Sequence, residues 1–137
     1  MDMKFIKQLS HVSILSKDLS KVEKFYSKIL GLQIIHKFIN PKTKQLYGFF
    51  FSVGKNTMLE FFLRKNKATK DSNIRHFCFE VKNIRVFSER LKKKGFKQNI
   101  SRGKTDKTLN FKIRDFENNI IEFHQYDKLS KIKKKLR

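Results

Sequence analysis

The segment His11-Val-Ser-Ile-Leu-Ser-Lys-Asp-Leu recurs 65 residues later as His76-Phe-Cys-Phe-Glu-Val-Lys-Asn-Ile. Each copy has a leading His, an alternating stretch, and then Lys followed by Asp or Asn. Period-two alternation predicts a strand. Both copies then change to helical spacing. After Asp18, the residues Leu19, Val22, Phe25, Tyr26, Ile29 and Leu30 recur every three to four positions and stop at Gly31; after Asn83, Ile84, Phe87 and Leu91 do the same and stop at Gly95. Asp18 and Asn83 suit N-caps, since their side-chain oxygens accept amide hydrogens left unpaired in a first helical turn. Each Gly suits the left-handed position after a helix.

The later parts of the two copies also align. Leu46 to Val53 is an apolar, strand-like run, Gly54-Lys55-Asn56 reads as a turn, and Met58-Leu59-Glu60-Phe61-Phe62 follows. In the second copy Leu109 to Ile113, the turn Asp115-Phe116-Glu117-Asn118-Asn119 and Ile120-Ile121-Glu122-Phe123-His124 occupy these places. With a further strand near Leu32 to Phe38, closed by Asn40-Pro41, the first copy reads β-α-β-β-β. Polar residues blur the corresponding strand between Phe96 and Lys107. The expected organisation is one domain over 1–137: a module at about 9–63, a polar linker at 64–73, a second module at about 74–126, and a basic tail at 127–137. In the tail, Leu129, Ile132 and Leu136 lie at roughly helical spacing.

Lys and Arg number 33 against 12 Asp and Glu, a formal charge of +21. Such a balance invites a nucleic-acid reading. However, Lys (26), Phe (15), Ile (13) and Asn (9) are abundant while Ala (1) and Pro (1) are scarce. That skew is expected of AT-rich coding, and no nucleic-acid-binding motif accompanies the charge, so no dedicated nucleic-acid partner is expected. The scarcity of acids still favours anionic ligands. Hydrophobic residues make up 39%, enough for a core. No run reaches the roughly 18 apolar residues of a membrane span, and the amino terminus, with Asp2, Lys7 and Gln8, makes a poor signal peptide. A soluble, cytoplasmic protein with no membrane insertion is expected. The single cysteine, Cys78, cannot form an intrachain disulfide and reads as a small packing residue.

The repeat carries chemistry at four positions. His11 and His76 lead their strands, while Glu60 and Glu122 alternate with the apolar residues on either side of them. A lone His at a strand start is ordinarily a satisfied polar residue, and a lone Glu in a strand ordinarily faces water. Ligand-type residues at equivalent places in both copies are harder to attribute to chance. If the modules pack with pseudo-twofold symmetry, two His and two Glu form an N2O2 set suited to a divalent transition metal with open positions. His36 and His124 do not recur and read as surface residues or supports of the site.

The opening from His11 through Phe25-Tyr26 to Leu30-Gly31-Leu32, the segment Arg75 to Val81 and the ending Asp115 to Glu122 resemble the vicinal oxygen chelate superfamily over residues 9 to 126. That superfamily includes glyoxalase I, fosfomycin-resistance transferases, extradiol dioxygenases, methylmalonyl-CoA epimerase and bleomycin-binding proteins. The resemblance implies an α+β fold of two paired βαβββ modules forming a cupped mixed sheet, usually in a homodimer, with His11, Glu60, His76 and Glu122 at the four metal-ligand positions of the glyoxalase I branch. The expected cofactor is a divalent ion (Ni, Zn, Co, Mn or Fe), with a thiol cosubstrate such as glutathione. The expected activity is that of a lyase or isomerase acting on a small substrate with vicinal oxygens, such as the hemithioacetal of a 2-oxoaldehyde, through an enediolate. Glu122 is the candidate base and Glu60 the alternative. Lys97-Gln98-Asn99-Ile100-Ser101 and Glu122-Phe123-His124 also resemble segments of fosfomycin transferases, although Lys112 stands where those commonly have Tyr. A fosfomycin-type transferase or dioxygenase, and a non-catalytic binder of a small molecule or antibiotic, are the alternatives.

Overall fold

The computed structural model describes residues 8–65 and 74–135. The chain divides between residues 70 and 71 into two compact units. The first runs β1 (His11–Ser16), α1 (Leu19–Val22), a π-helical continuation (Glu23–Ile29), β2 (Gln33–Ile39), β3 (Leu46–Ser52) and β4 (Met58–Leu63). The second runs β5 (Phe77–Glu80), α2 (Ile84–Lys93), β6 (Ser101–Arg102), β7 (Leu109–Arg114) and β8 (Ile120–Gln125). Each unit forms a four-stranded mixed sheet, ordered β1-β4-β3-β2 in the first and β5-β8-β7-β6 in the second. The first strand of each unit lies parallel to the last, and the remaining pairs are antiparallel. The two copies of the repeat therefore share one topology, which is the α+β architecture of two mixed-sheet modules.

Both helices begin as their sequences require. The Asp18 side chain accepts from the Lys21 amide, and that of Asn83 from the Val86 amide. Gly31 and Gly95 follow the helices at positive φ, +80° and +99°. The first helix does not remain α-helical to its end. From Glu23 it widens into a π turn, and the Leu30 amide reaches back to the Phe25 carbonyl. In the second unit, the strand blurred by polar residues is only two residues long, Ser101–Arg102. The turn between β7 and β8 is held by Asp115, whose carboxylate accepts from the Glu117 and Asn119 amides, with Asn118 at φ +65°. In the tail, a short 3₁₀ turn forms at Lys133–Lys135; Leu136 lies outside the described residues, as do 66–73 of the linker.

One face of each sheet meets the helix. In the first unit Phe49, Phe51, Leu59 and Phe61 are buried along with Val22, Phe25 and Tyr26, and Tyr26 lies 4.5 Å from Phe61 between ring centroids. In the second unit Phe111, Ile113, Ile121 and Phe123 are buried along with Ile84 and Leu91, and Phe87 packs edge-on to Phe123 at 4.9 Å. Each fully buried side chain of this size contributes about 1.5–3 kcal/mol. With these apolar faces committed to the core, the alternate residues of every strand form the opposite face. The candidate residues lie on that face.

Among the described residues, no helix is long and apolar enough to cross a membrane.

Candidate metal centre

In the first unit, strand register places Ser13 beside Glu60 across the β1/β4 pair and Phe50 beside Glu60 across β3/β4. The His11 Nε2 lies 3.9 Å from the Glu60 Oε1. Glu60 is 9% exposed, so its carboxylate is largely removed from water. A charged group in that position needs a partner, and His11 is an exposed residue next to it. Farther along this face lies an aromatic group, with Phe38 5.0 Å from Phe50 and 4.9 Å from Phe62 between ring centroids. A Cβ at Gly48 would fall 2.7 Å from Phe62 Cδ1 and 2.5 Å from the Phe61 carbonyl oxygen, so the missing side chain is what admits this close packing. His36, paired in register with Phe50, is exposed and lies on the far side of Phe50 from Glu60.

In the second unit the same register places Cys78 beside Glu122 across β5/β8 and Lys112 beside Glu122 across β7/β8. Cys78 thus takes the place of Ser13, and Lys112 that of Phe50. The His76 Nε2 is 2.9 Å from the Glu122 Oε2, closer than the equivalent pair in the first unit. His124, two residues beyond Glu122, points to the same face, and its ligand atom, the Cys78 Sγ and a Glu122 oxygen all lie within 4.8 Å of one another. His124 does not recur, its counterpart in the first unit being Phe62, and the sequence places it at the surface or in support of the site; strand alternation from Glu122 puts it on this face. Cys78 is exposed, not a packed core residue. Its thiol is pushed up to about 12, first by desolvation around the sulfur and then by the Glu122 carboxylate, with Lys112 pulling the other way.

Two donors of one ion cannot lie farther apart than twice the bond length, about 4–4.6 Å for nitrogen, oxygen or sulfur on zinc. The His11–Glu60 and His76–Glu122 pairs fall inside that limit, at 3.9 and 2.9 Å. Cys78, Glu122 and His124 offer three donor atoms within 4.8 Å of one another. Imidazole and carboxylate donors suit a divalent transition metal, so the residues present are compatible with one.

Two repeated modules of one helix on a four-stranded mixed sheet, each with a His–Glu pair on the sheet face away from its helix, are the features that define this protein's class. The family model for the Glyoxalase/Bleomycin resistance protein/Dioxygenase superfamily matches residues 8–123, and the chain belongs to that superfamily. The mitochondrial methylmalonyl-CoA epimerase of Homo sapiens is 33% identical over 98 residues, covering 64% of this chain and 53% of the relative. The chain thus spans about half the length of that curated relative. Among solved structures, a glyoxalase family protein from Enterococcus faecalis aligns with a TM-score of 0.72 at 20% identity, covering 88% of this chain and 99% of the other. Lactoylglutathione lyase from Agrobacterium tumefaciens aligns with a TM-score of 0.67 at 19% identity, covering 89% and 96%. Identities this low speak to the shared fold alone.

Proposed function

We propose that this protein is a metal-dependent lyase or isomerase of glyoxalase I type, acting on a small substrate with vicinal oxygens. The observation that carries the reading is the His–Glu pair found at equivalent places of the repeat in both units, at 3.9 Å in the first and 2.9 Å in the second. His11, Glu60, His76 and Glu122 would hold the ion, which when bound supplies Lewis acidity toward two substrate oxygens. Glu122 takes the proton from the carbon next to the carbonyl and returns it to the neighbouring carbon. A carboxylate suits both steps because it can accept and then donate within one turnover. The His76 contact falls on the Oε2 of Glu122. Glu60, buried beside Phe50, is the weaker base and the stronger structural ligand. The proposal includes cytoplasmic location and a homodimer in which two chains complete the sites.

The test is direct. Protein purified without chelator should contain a divalent metal, and after reconstitution with Ni, Zn, Co or Mn it should isomerise the adduct of methylglyoxal with glutathione or another cellular thiol. Metal content without turnover would sink the lyase assignment and favour a thiol transferase or dioxygenase on the same scaffold. Small-molecule binding with no metal would favour a non-catalytic binder, a reading that the aromatic group Phe38, Phe50 and Phe62 supports.

A further inference from the structure

The second unit contains a cleft of about 390 Å³ whose wall includes Lys97, Lys112 and Arg114 together with Phe96, Gln98 and Ile120. Small-molecule sites fall at about 300–1,000 Å³. No Asp or Glu lines the cleft. None of its three cations forms an ion pair among the described residues. Arg114 donates to the Asn118 carbonyl at 3.0 Å, which fixes one of its nitrogens and leaves the charge uncompensated. Gathering three like charges around one concavity is unfavourable by itself, and the neighbouring apolar Phe96 and Ile120 sharpen the field by excluding water. Gln98 is 6% exposed; its Nε2 donates to Ser88 at 2.9 Å, while its Oε1 has no hydrogen-bond partner among the described residues. Lys112 is also the register partner of Glu122, so the cleft begins one strand from the candidate base.

We infer that this cleft binds the anionic oxygen group, carboxylate or phosphate, of a small molecule. Lys97, Lys112 and Arg114 neutralise the charge, the fork of Arg114 matching two oxygens at once. The assignment of this group to the substrate rests on the proposed function, because it places the charged end beside Lys112 and the reacting carbons toward Glu122. The binding itself does not depend on that reading.

Metal-free protein is titrated with inorganic phosphate and, separately, with lactate at constant ionic strength, following backbone amide shifts by NMR. Saturable shifts centred on Lys97, Gln98, Lys112 and Arg114 are expected for at least one probe, and the tighter probe identifies the group. Lys112→Gln with Arg114→Gln should weaken binding at least tenfold, whereas the charge-matched pair Lys42→Gln with Lys55→Gln, at exposed turns of the first unit, should change it less than twofold. Lys97→Gln alone serves if the double variant fails to fold. Equal losses in the cleft and control variants would reduce the effect to diffuse attraction by a cationic chain, and absence of saturation with both probes would overturn the site. Metal content and turnover, measured on the same proteins, report separately on the proposed function.

Discussion

His76 approaches Glu122 to 2.9 Å, Nε2 to Oε2, across a gap of 46 residues in the chain. The contact exists because β5 and β8 run parallel in one register, with Phe77 opposite Ile121 and Cys78 opposite Glu122. His76 stands just before β5, and its Nε2 reaches Glu122 on the neighbouring strand. It orients one carboxylate oxygen of the residue proposed as base.

Removing either imidazole should separate ligand loss from misfolding. Because His11 and His76 are outside the core, His11→Ala and His76→Ala should keep the wild-type circular dichroism spectrum and thermal midpoint within a few degrees. Metal content by elemental analysis should fall sharply in both. Full occupancy in both variants would exclude the two residues as ligands.

Glu122→Gln keeps a neutral coordinating oxygen but cannot accept a proton at neutral pH. Turnover of a methylglyoxal–thiol adduct by metal-saturated protein is expected to fall by about 10²- to 10⁴-fold. Glu60→Gln should instead reduce metal affinity more than rate at saturating metal. A near-normal rate in Glu122→Gln would move the base to Glu60.

The Cys78 thiol, pushed up to about 12, should be slow to react with iodoacetamide at pH 7–8 although the residue is exposed. The thiolate is the reactive form, and little of it exists so far below the pKa. Glu122→Gln removes a charge that raises this pKa, so alkylation of metal-free protein at pH 8 should accelerate. A rate equal to that of a free cysteine in the wild type would contradict the local environment described.

Arg102 and Asp127 form a two-pronged pair, Nη1 to Oδ1 at 2.9 Å and Nη2 to Oδ2 at 2.8 Å. The hydrogen bond from Arg102 holds the Asp127 carboxyl well below the usual carboxylate range. A depressed folded-state pKa contributes stability above the unfolded value near 3.8 and loses it as pH falls through the folded value. Arg102→Gln should therefore lower the thermal midpoint at pH 6 by more than at pH 2. An equal loss at both pH values would assign the effect to packing.

Gly48→Ala introduces a methyl where Phe61 and Phe62 already touch the backbone. Overpacking of this kind costs about 1–3 kcal/mol. Chemical denaturation should show a lower midpoint with an unchanged slope, and an unchanged midpoint would mean that Phe62 moves aside freely.

Local pattern was enough to reveal the repeat, because each of its signals acts within a few residues. Asp18 and Asn83 cap the helices that follow them, Asn118 takes the positive φ of its turn, and the alternation around Glu60 and Glu122 separates core from open face. What depended on register could not be read this way. Whether Ser13 or Cys78 stands beside a carboxylate, whether Lys112 or Phe50 flanks it, and whether His124 joins Cys78 and Glu122 are decided by hydrogen-bonded pairing of distant strands. The π turn after Val22 is likewise absent from the apolar spacing, which an α-helix would satisfy as well. The sequence by itself determined two β-α-β-β-β modules with a His and a Glu in each, since caps, turns and periodicity act locally. Only the tertiary structure decided that Glu60 is buried among aromatics while Glu122 lies among Cys78, His124 and Lys112, because sheet register sets which side chains from distant segments become neighbours.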